Sequence, residues 1–220
     1  QNKSDLGNVC KLTNLPIDKT ILIPGSGVNL NEYKQTEISL NDPIVLFPAR
    51  LLSTKGIYEF IEAAKKLNNF ARFVIVGKHD SEARNCINLK ELDKFQNEGI
   101  IEYWGESNDM PKIFQKSSIV VLPSYREGMP KSLLEAAASG RPIVTTNVPG
   151  CRETIIDGIT GILVPAYDPN SLTIAIKKLL KNHKLIFRMA QAGRNLAEKK
   201  FDVKKVVKKH LEIYQFLLSI

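Results

Sequence analysis

Short apolar runs along the chain alternate with longer segments whose apolar residues recur at helical spacing. Each run is bounded by turn-forming residues, which predicts a buried strand. The helical spacing is clear after the first run, where Ile57, Phe60 and Ile61 fall on one face. The predicted strands are residues 44–47, 72–76, 100–103, 119–122, 143–146 and 161–165. Strands that alternate with helices predict an α/β fold with a parallel, doubly wound sheet covered by helices on both faces.

The remaining segments are assigned by weaker signals. Residues 1–20 are polar and predict irregular structure, whereas the apolar run at residues 21–23 predicts a further short strand. Asp168 and Asp202 each precede a helical segment and are predicted to be N-caps. After the helix that begins at Ile57, the predicted helices are 81–97, 109–116, one that starts near Pro130, a short one at 151–153, and 168–181, 184–199 and 202–219.

The stretch from Pro123 to Pro142 carries the clearest functional signal. It follows a predicted buried strand, turns, and opens directly onto a helix for which Pro130 suits the first turn. Gly140 suits the C-cap, and Pro142 cannot continue the helix. Free backbone N–H groups and the positive end of the helix dipole lie at such a helix start, which favours a phosphate.

Two carboxylates frame this strand–turn–helix unit. Glu127 lies in the loop before the helix, and Glu135 lies inside the helix eight positions later. Carboxylates accept hydrogen bonds from vicinal hydroxyls, so the unit has the groups to hold a sugar, a diphosphate and a ribose. The spacing alone is equally compatible with an ordinary strand–turn–helix unit that carries two unrelated glutamates.

The frame from Glu127 to Glu135, followed by Gly140-Arg141-Pro142, resembles the donor-site signature of retaining GT-B glycosyltransferases of family four. The resemblance extends from about Ile21 to the C-terminus. The string up to Glu153 is similar to bacterial members that build capsule, O-antigen or other glycans on a lipid carrier. It implies a Rossmann-like domain, the C-terminal half of a GT-B enzyme that binds the sugar donor.

The resemblance also implies roles for individual residues. Arg50 and Lys55, in the loop after the first strand, would bind the donor diphosphate and stabilise it as it leaves. Glu127 would contact the sugar hydroxyls, and Glu135 would contact the ribose. Trp104 would form a wall against the base, although a half-buried core tryptophan fits the sequence as well. The further donor contacts expected are Gly128, Met129, Lys131, Ser132 and Gly77.

The resemblance further implies a division of the chain. Residues 1–25 would be the end of an acceptor domain and the linker, and residues 26–200 the domain that binds the nucleotide sugar. Residues 201–220 would form a C-terminal helix that packs back towards an N-terminal acceptor domain outside this sequence. We therefore expect the chain to bind a nucleotide sugar but not to transfer the sugar alone.

Composition narrows the possible classes of function. Three cysteines lie far apart and form no Cys-x-x-Cys or Cys/His cluster, which argues against a zinc site and fits a reducing cytoplasm. Residues 171–220 contain twelve of the 31 Lys and Arg residues and three of the 23 Asp and Glu residues. This basic excess favours either an anionic membrane surface or a solvated helix face. No aromatic residues interleave with the lysines, so nucleic acid is not an expected partner.

We therefore expect a cytoplasmic enzyme, peripheral on the inner face of the membrane. It would transfer a hexose or N-acetylhexosamine from a nucleotide sugar, with UDP the expected nucleotide, to a lipid-linked saccharide. Neither a metal nor a further cofactor is expected. Three alternatives remain open, namely a sugar-nucleotide epimerase of related fold, a non-catalytic nucleotide-sugar-binding module and a polyanion-binding domain. The absence of a Walker loop and of a Gly-x-Gly-x-x-Gly fingerprint argues against an ATPase and a dinucleotide-dependent dehydrogenase.

Overall fold

A computed structural model describes residues 1–219 and contains a six-stranded parallel sheet. The strand order is β3-β2-β1-β4-β5-β6, so the chain winds outward from the centre in both directions. The strands are β1 (Ile44–Pro48), β2 (Arg72–Val76), β3 (Glu102–Tyr103), β4 (Ile119–Leu122), β5 (Ile143–Thr146) and β6 (Gly161–Val164). The predicted parallel, doubly wound α/β sheet is confirmed.

Helices cover both faces of the sheet. They are α1 (Lys3–Thr13), α2 (Ile57–Leu67), α3 (Leu89–Asn97), α4 (Met110–Lys116), α5 (Lys131–Ala138), α6 (Pro169–Leu180), α7 (His183–Lys200) and α8 (Val203–Leu218), with short 3-10 turns at Ile17–Lys19, Ser53–Lys55 and Arg152–Thr154. Asp168 and Asp202 cap α6 and α8 as predicted, since their side chains accept hydrogen bonds from backbone N–H groups of the first turn. Within residues 1–219, no helix is both long enough and apolar enough to cross a membrane.

The alternation of side chains along each strand divides the core into two layers. In β1, Val45 and Phe47 pack on the face covered by α2 and α6, whereas Leu46 packs on the face covered by α5 and α7. Phe60 of α2 packs against Phe47 of β1 and Phe73 of β2, with ring centroids 5.2 Å and 5.4 Å apart. All five residues of β1 are buried, which explains why the sequence of this strand is a continuous apolar run.

The prediction of irregular structure for residues 1–20 is wrong over most of its length. Residues 3–13 form α1, which buries none of its side chains. Its N-cap, Asn2, accepts a hydrogen bond from the Asp5 backbone N–H at 2.8 Å and donates to the Gly128 carbonyl at 2.8 Å. Leu6, Val9 and Cys10 recur at helical spacing but remain unburied in a mostly polar segment, and Asn2 both caps the helix and ties it to the Gly128 loop.

Two further predictions need correction. The helix predicted at 81–97 begins only at Leu89, because the segment before it pairs with the loop after β1: Ser53 N–H donates to Asn85 O at 2.7 Å and Ile87 N–H donates to Leu51 O at 2.9 Å. The strand predicted at 21–23 pairs with no strand among the described residues and has no regular secondary structure. The first error reflects contacts distant in sequence, which local patterns do not register.

A fully buried guanidinium fixes α5 to its surroundings. Arg141, directly after this helix, donates to the carbonyl oxygens of Phe114 (2.9 Å) and Gln115 (3.1 Å) in the last turn of α4. It also donates to the carbonyl of Thr36 at 3.1 Å and to the hydroxyl of that residue. The negative end of the α4 dipole thus supplies acceptors for the charge. Burial lowers the pKa of Arg141 to about 10, which leaves it charged at neutral pH.

Replacement of Arg141 by Ala is expected to lower the free energy of unfolding by about 3 kcal/mol or more, because several buried carbonyl groups lose their donors. Arg141→Lys should recover only part of this loss, since an ammonium cannot reproduce the planar fork. Urea titration monitored by circular dichroism measures both. The exposed Arg188 on α7 provides the matched control, and its replacement by Ala should change stability by no more than about 0.5 kcal/mol. Equal effects at both positions would contradict the role assigned to Arg141.

Candidate functional site

The candidate site lies at the carboxyl edge of the sheet, between β1 and β4. The strand order reverses here, because β1 lies between β2, which follows it in sequence, and β4. Ligands bind in such crevices in doubly wound sheets. A cavity of about 220 Å³ occupies this place and is lined by Pro48, Ala49, Arg50, Lys55, Leu122, Glu127, Pro130, Lys131 and Ser132. Five residues predicted for the site therefore surround one cavity.

An ion pair between Lys55 and Glu127 forms the floor of this cavity. Lys55 Nζ lies 2.5 Å from Glu127 Oε1, and the Ser124 hydroxyl donates to the same oxygen at 2.7 Å. Both charged side chains are largely buried, at 21% and 12% exposure. Since both donors use Oε1, the second carboxylate oxygen of Glu127 has no protein donor within the described part of the chain.

Lys55 reaches Glu127 because the loops after β1 and β4 pack backbone against backbone. Gly56 adopts φ 79° at the start of α2, and a Cβ there would lie 2.2 Å from the Pro123 carbonyl oxygen. The Tyr125 backbone N–H donates to Thr54 O at 3.0 Å and holds the two loops in register. Only glycine permits both the left-handed conformation and this close approach.

The Glu127 loop is supported from behind by the turn after β5. Gly150 adopts φ 87°, and a Cβ there would lie 2.2 Å from the Glu127 carbonyl oxygen. The Glu127 N–H donates to the Pro149 carbonyl at 3.3 Å. On the other side, Asn2 donates to the Gly128 carbonyl. The loop that carries Glu127 is therefore held between two segments that are distant from it in sequence.

The second carboxylate lies deeper, one helix turn past the cavity. Glu135 is 6% exposed, and its Oε1 accepts a hydrogen bond from the Tyr33 hydroxyl at 2.8 Å. Lys131 Nζ lies 3.5 Å from the same oxygen. Burial raises the pKa of Glu135, an effect that Tyr33 and Lys131 oppose and that nearby Glu32 reinforces. The N-terminus of α5, with its free backbone N–H groups, lies between the two carboxylates.

Four predicted residues lie at or beyond the margin of the cavity. Arg50 is 57% exposed and pairs with Asp80 at 3.7 Å. Gly77 does not line the cavity but lies beneath its wall, where a Cβ would be 2.0 Å from the Ala49 carbonyl oxygen. Gly128 and Met129 face the other way. Met129 lines a separate cavity of about 520 Å³ with Pro24.

Trp104 does not join the cavity. Its indole N–H donates to Glu102 at 2.9 Å, and the ring lies between the cations of Arg72 and Lys116, at 5.9 and 5.8 Å from the ring centroid. The half-buried position favours the structural alternative for this side chain. The backbone of the same loop does approach the site, since Gly77 N–H donates to Gly105 O at 2.9 Å.

Sequence reasoning missed Ser124, Tyr33 and Gly150. Ser124 follows a buried strand and precedes Glu127 by three residues, a spacing that permits a local hydrogen bond and could have suggested its contact. The contacts of Tyr33 and Gly150 are made across the fold, and no local pattern indicates them. Among residues 1–219, no three His, Cys, Asp or Glu side chains cluster as a metal site would require.

Comparison with known proteins gives a consistent family match. Residues 29–196 match the family described as glycosyl transferases group 1. An N,N'-diacetylbacillosaminyl-diphospho-undecaprenol alpha-1,3-N-acetylgalactosaminyltransferase from Campylobacter jejuni is 34% identical over 215 residues, which is 92% of this chain and 56% of that protein. The UDP-Gal:alpha-D-GlcNAc-diphosphoundecaprenol alpha-1,3-galactosyltransferase of Escherichia coli is 29% identical, over 85% of this chain and 49% of that protein. The chain thus spans about half the length of these relatives.

Solved structures agree with the fold. The C-terminal domain of LpcC, a glycosyl transferase group 1 family protein from Francisella tularensis, superimposes with a TM-score of 0.70 at 27% identity, over 80% of this chain and 99% of that domain. HepE from Anabaena, solved in complex with UDP, gives a TM-score of 0.85 at 20% identity and covers 100% of this chain and 63% of that one. The resemblance that the Glu127–Glu135 frame indicated is confirmed.

The buried position of Glu135 predicts a pH-dependent effect on stability. Because its folded-state pKa is raised, the folded chain retains a proton that the unfolded chain releases, and stability falls as pH rises through this interval. Glu135→Gln removes that titration. We expect the stability of this variant, relative to the wild type, to increase between about pH 4.5 and about pH 8. Urea titrations at the two pH values measure it. The exposed Glu98→Gln should show no such trend, and a relative stability of Glu135→Gln that falls with pH would contradict the assignment.

Proposed function

Because this chain belongs to the glycosyl transferases group 1 family, we propose that it is the donor-binding part of a retaining glycosyltransferase. The observation that carries the proposal is the convergence of Lys55, Glu127, Lys131 and the start of α5 on one cavity at the carboxyl edge of the sheet. The ligand that suits two cations, a helix N-terminus and two carboxylates is a nucleoside diphosphate sugar.

The diphosphate would occupy the cationic side of the cavity. Lys55 is a point charge on the cavity floor, held there by Glu127, and exposed Arg50 at the mouth can turn from its long contact with Asp80 to present a bidentate fork. The free N–H groups of α5 add the positive end of its dipole. Together these groups would stabilise the negative charge that develops as the nucleoside diphosphate leaves. The acceptor hydroxyl would then attack the same face of the sugar and give its proton to the departing diphosphate, so that the sugar retains its configuration.

The two carboxylates would bind the two hydroxyl-bearing parts of the donor. Glu127 would accept hydrogen bonds from the sugar, and Glu135 from the ribose. UDP is the proposed nucleotide, supported by the complex of the structural neighbour HepE with UDP. A lipid-linked saccharide is the proposed acceptor, supported by the names of the Campylobacter and Escherichia relatives.

We propose that the acceptor site lies in a part of the protein outside this sequence. Residues 1–25 would then form the end of that acceptor domain and the linker to the donor-binding domain. The four lysines of α8 support a peripheral position on an anionic membrane surface. This surface would be on the cytoplasmic side, where nucleotide sugars occur. An epimerase of related fold would release a changed sugar without any acceptor, so product analysis distinguishes it. A non-catalytic binding module would bind the donor, yet the full-length protein would show no turnover.

Replacement of Lys55 by Met is expected to weaken the binding of UDP about tenfold to a hundredfold, because a charge-assisted contact to the diphosphate is lost. Isothermal titration calorimetry with UDP- and GDP-sugars measures the affinity. Lys90, an exposed lysine on α3, gives the matched control, and Lys90→Met should bind as the wild type does. Unchanged affinity for UDP in Lys55→Met would contradict the assignment of the diphosphate site. Binding to nucleic acid that depends steeply on salt, without any affinity for UDP, would favour a polyanion-binding domain.

Residues 1–220 are expected to bind the donor without transferring its sugar, since the groups that bind the acceptor are placed elsewhere. Radiolabelled transfer to a lipid-linked acceptor tests this, and turnover by the isolated chain would refute it. In the full-length protein, Glu127→Ala and Arg50→Ala should both lose most of the turnover, about a hundredfold or more if each acts on the transition state. Glu98→Ala, at the exposed C-cap of α3, should retain it.

A further inference from the structure

Tyr33 lies outside the cavity and contacts Glu135, one of the two carboxylates proposed to bind the donor. It lies in the segment before β1, is 6% exposed, and donates its hydroxyl to Glu135 at 2.8 Å. The two residues are 102 positions apart in sequence. A buried tyrosine hydroxyl needs a partner, but a carboxylate is a costly one to bury unless the charge has a use.

The tyrosine is held at both ends. Its ring packs edge-on against Phe114 with centroids 5.9 Å apart. Its backbone carbonyl accepts a hydrogen bond from Arg194 at 2.8 Å, and its N–H donates to the Asn29 carbonyl at 3.0 Å. The hydroxyl therefore meets Glu135 from a fixed position, which is the arrangement that a residue needs to orient another side chain.

Both donors to Glu135 use the same oxygen. Tyr33 and Lys131 contact Oε1, at 2.8 and 3.5 Å, and leave Oε2 without a donor within residues 1–219. Because Oε1 is held by the protein, Oε2 stays available to accept hydrogen bonds from solvent or from a bound ligand. The Lys131 side chain is 66% exposed and lies farther from Oε1 than the buried Tyr33 hydroxyl, so Tyr33 is the contact that sets the orientation.

We propose that Tyr33 is a positioning residue for donor binding: its hydroxyl fixes Glu135 so that Oε2 receives the vicinal hydroxyls of the ribose of a nucleoside diphosphate. The inference rests on the proposed function and adds to it. Tyr33 touches neither the diphosphate nor the sugar in this scheme. It therefore contributes only to the recognition of the ribose, and this separates it from a residue that merely supports the fold.

The test uses Tyr33→Phe, which removes one oxygen and keeps the ring in its place. Calorimetric titration compares UDP, 2′,3′-dideoxy-UDP and inorganic diphosphate on the wild type and the variant. We expect UDP to bind about threefold to tenfold more weakly to the variant, the range for one hydrogen bond, with no change for the other two ligands. Tyr58, which donates to the surface residue Glu91 at 3.3 Å, is the matched control, and Tyr58→Phe should bind all three as the wild type does.

A double-mutant cycle provides the second measurement. In a Glu135→Gln background, Tyr33→Phe should have at most a small further effect on the affinity for UDP, because the carboxylate that it orients is gone. Full additivity would overturn the inference, as would an equal loss for UDP and inorganic diphosphate, which indicates a general disturbance of the fold. If the wild type binds UDP and Tyr33→Phe binds it with the same affinity, the inference is overturned and the proposed function is not. A wild type that binds neither UDP nor GDP would overturn the proposed function as well.

Discussion

The contact on which the site depends is the approach of two backbones, the loop after β1 and the loop after β4, at Gly56 and Pro123. This approach brings Lys55 onto Glu127, and the pair then neutralises two charges that would be costly to bury separately. Because the loops belong to neighbouring strands of a parallel sheet, their carboxyl ends must meet at one edge. A side chain at position 56 would separate the loops and open the pair.

A shared principle governs both carboxylates. Glu127 and Glu135 each commit one oxygen to two protein donors, and the other oxygen has no donor in the described structure. A carboxylate held in this way costs less to bury than an unpaired one and keeps a fixed orientation. The raised pKa of Glu135 shows that its burial is only partly compensated. The fold thus maintains a group that opposes stability, as functional sites commonly do.

The segment before β1 is held in place by two arginines that lie far from it in sequence. Arg141 and Arg194 both donate to backbone carbonyls of this segment, at Thr36 and Tyr33. Arg141 lies directly after α5, the helix that carries Glu135. Arg194 also donates to the Ala138 carbonyl in the last turn of α5 at 2.6 Å, so one guanidinium ties the position of α5 to that of Tyr33. Such networks rigidify a site when every member has its partner.

The sequence by itself determined most of the order of strands and helices, because apolar runs and caps are local, and its resemblance to a family signature singled out Glu127 and Glu135. It did not determine α1 or the segment before α3, whose conformations depend on contacts with distant residues. Only the tertiary structure decided which candidates share a cavity: Lys55 and Lys131 do, whereas the Trp104 indole packs between Arg72 and Lys116. The physical reason is that strand pairing fixes which loops meet, and each loop then turns its side chains according to packing that no local pattern records.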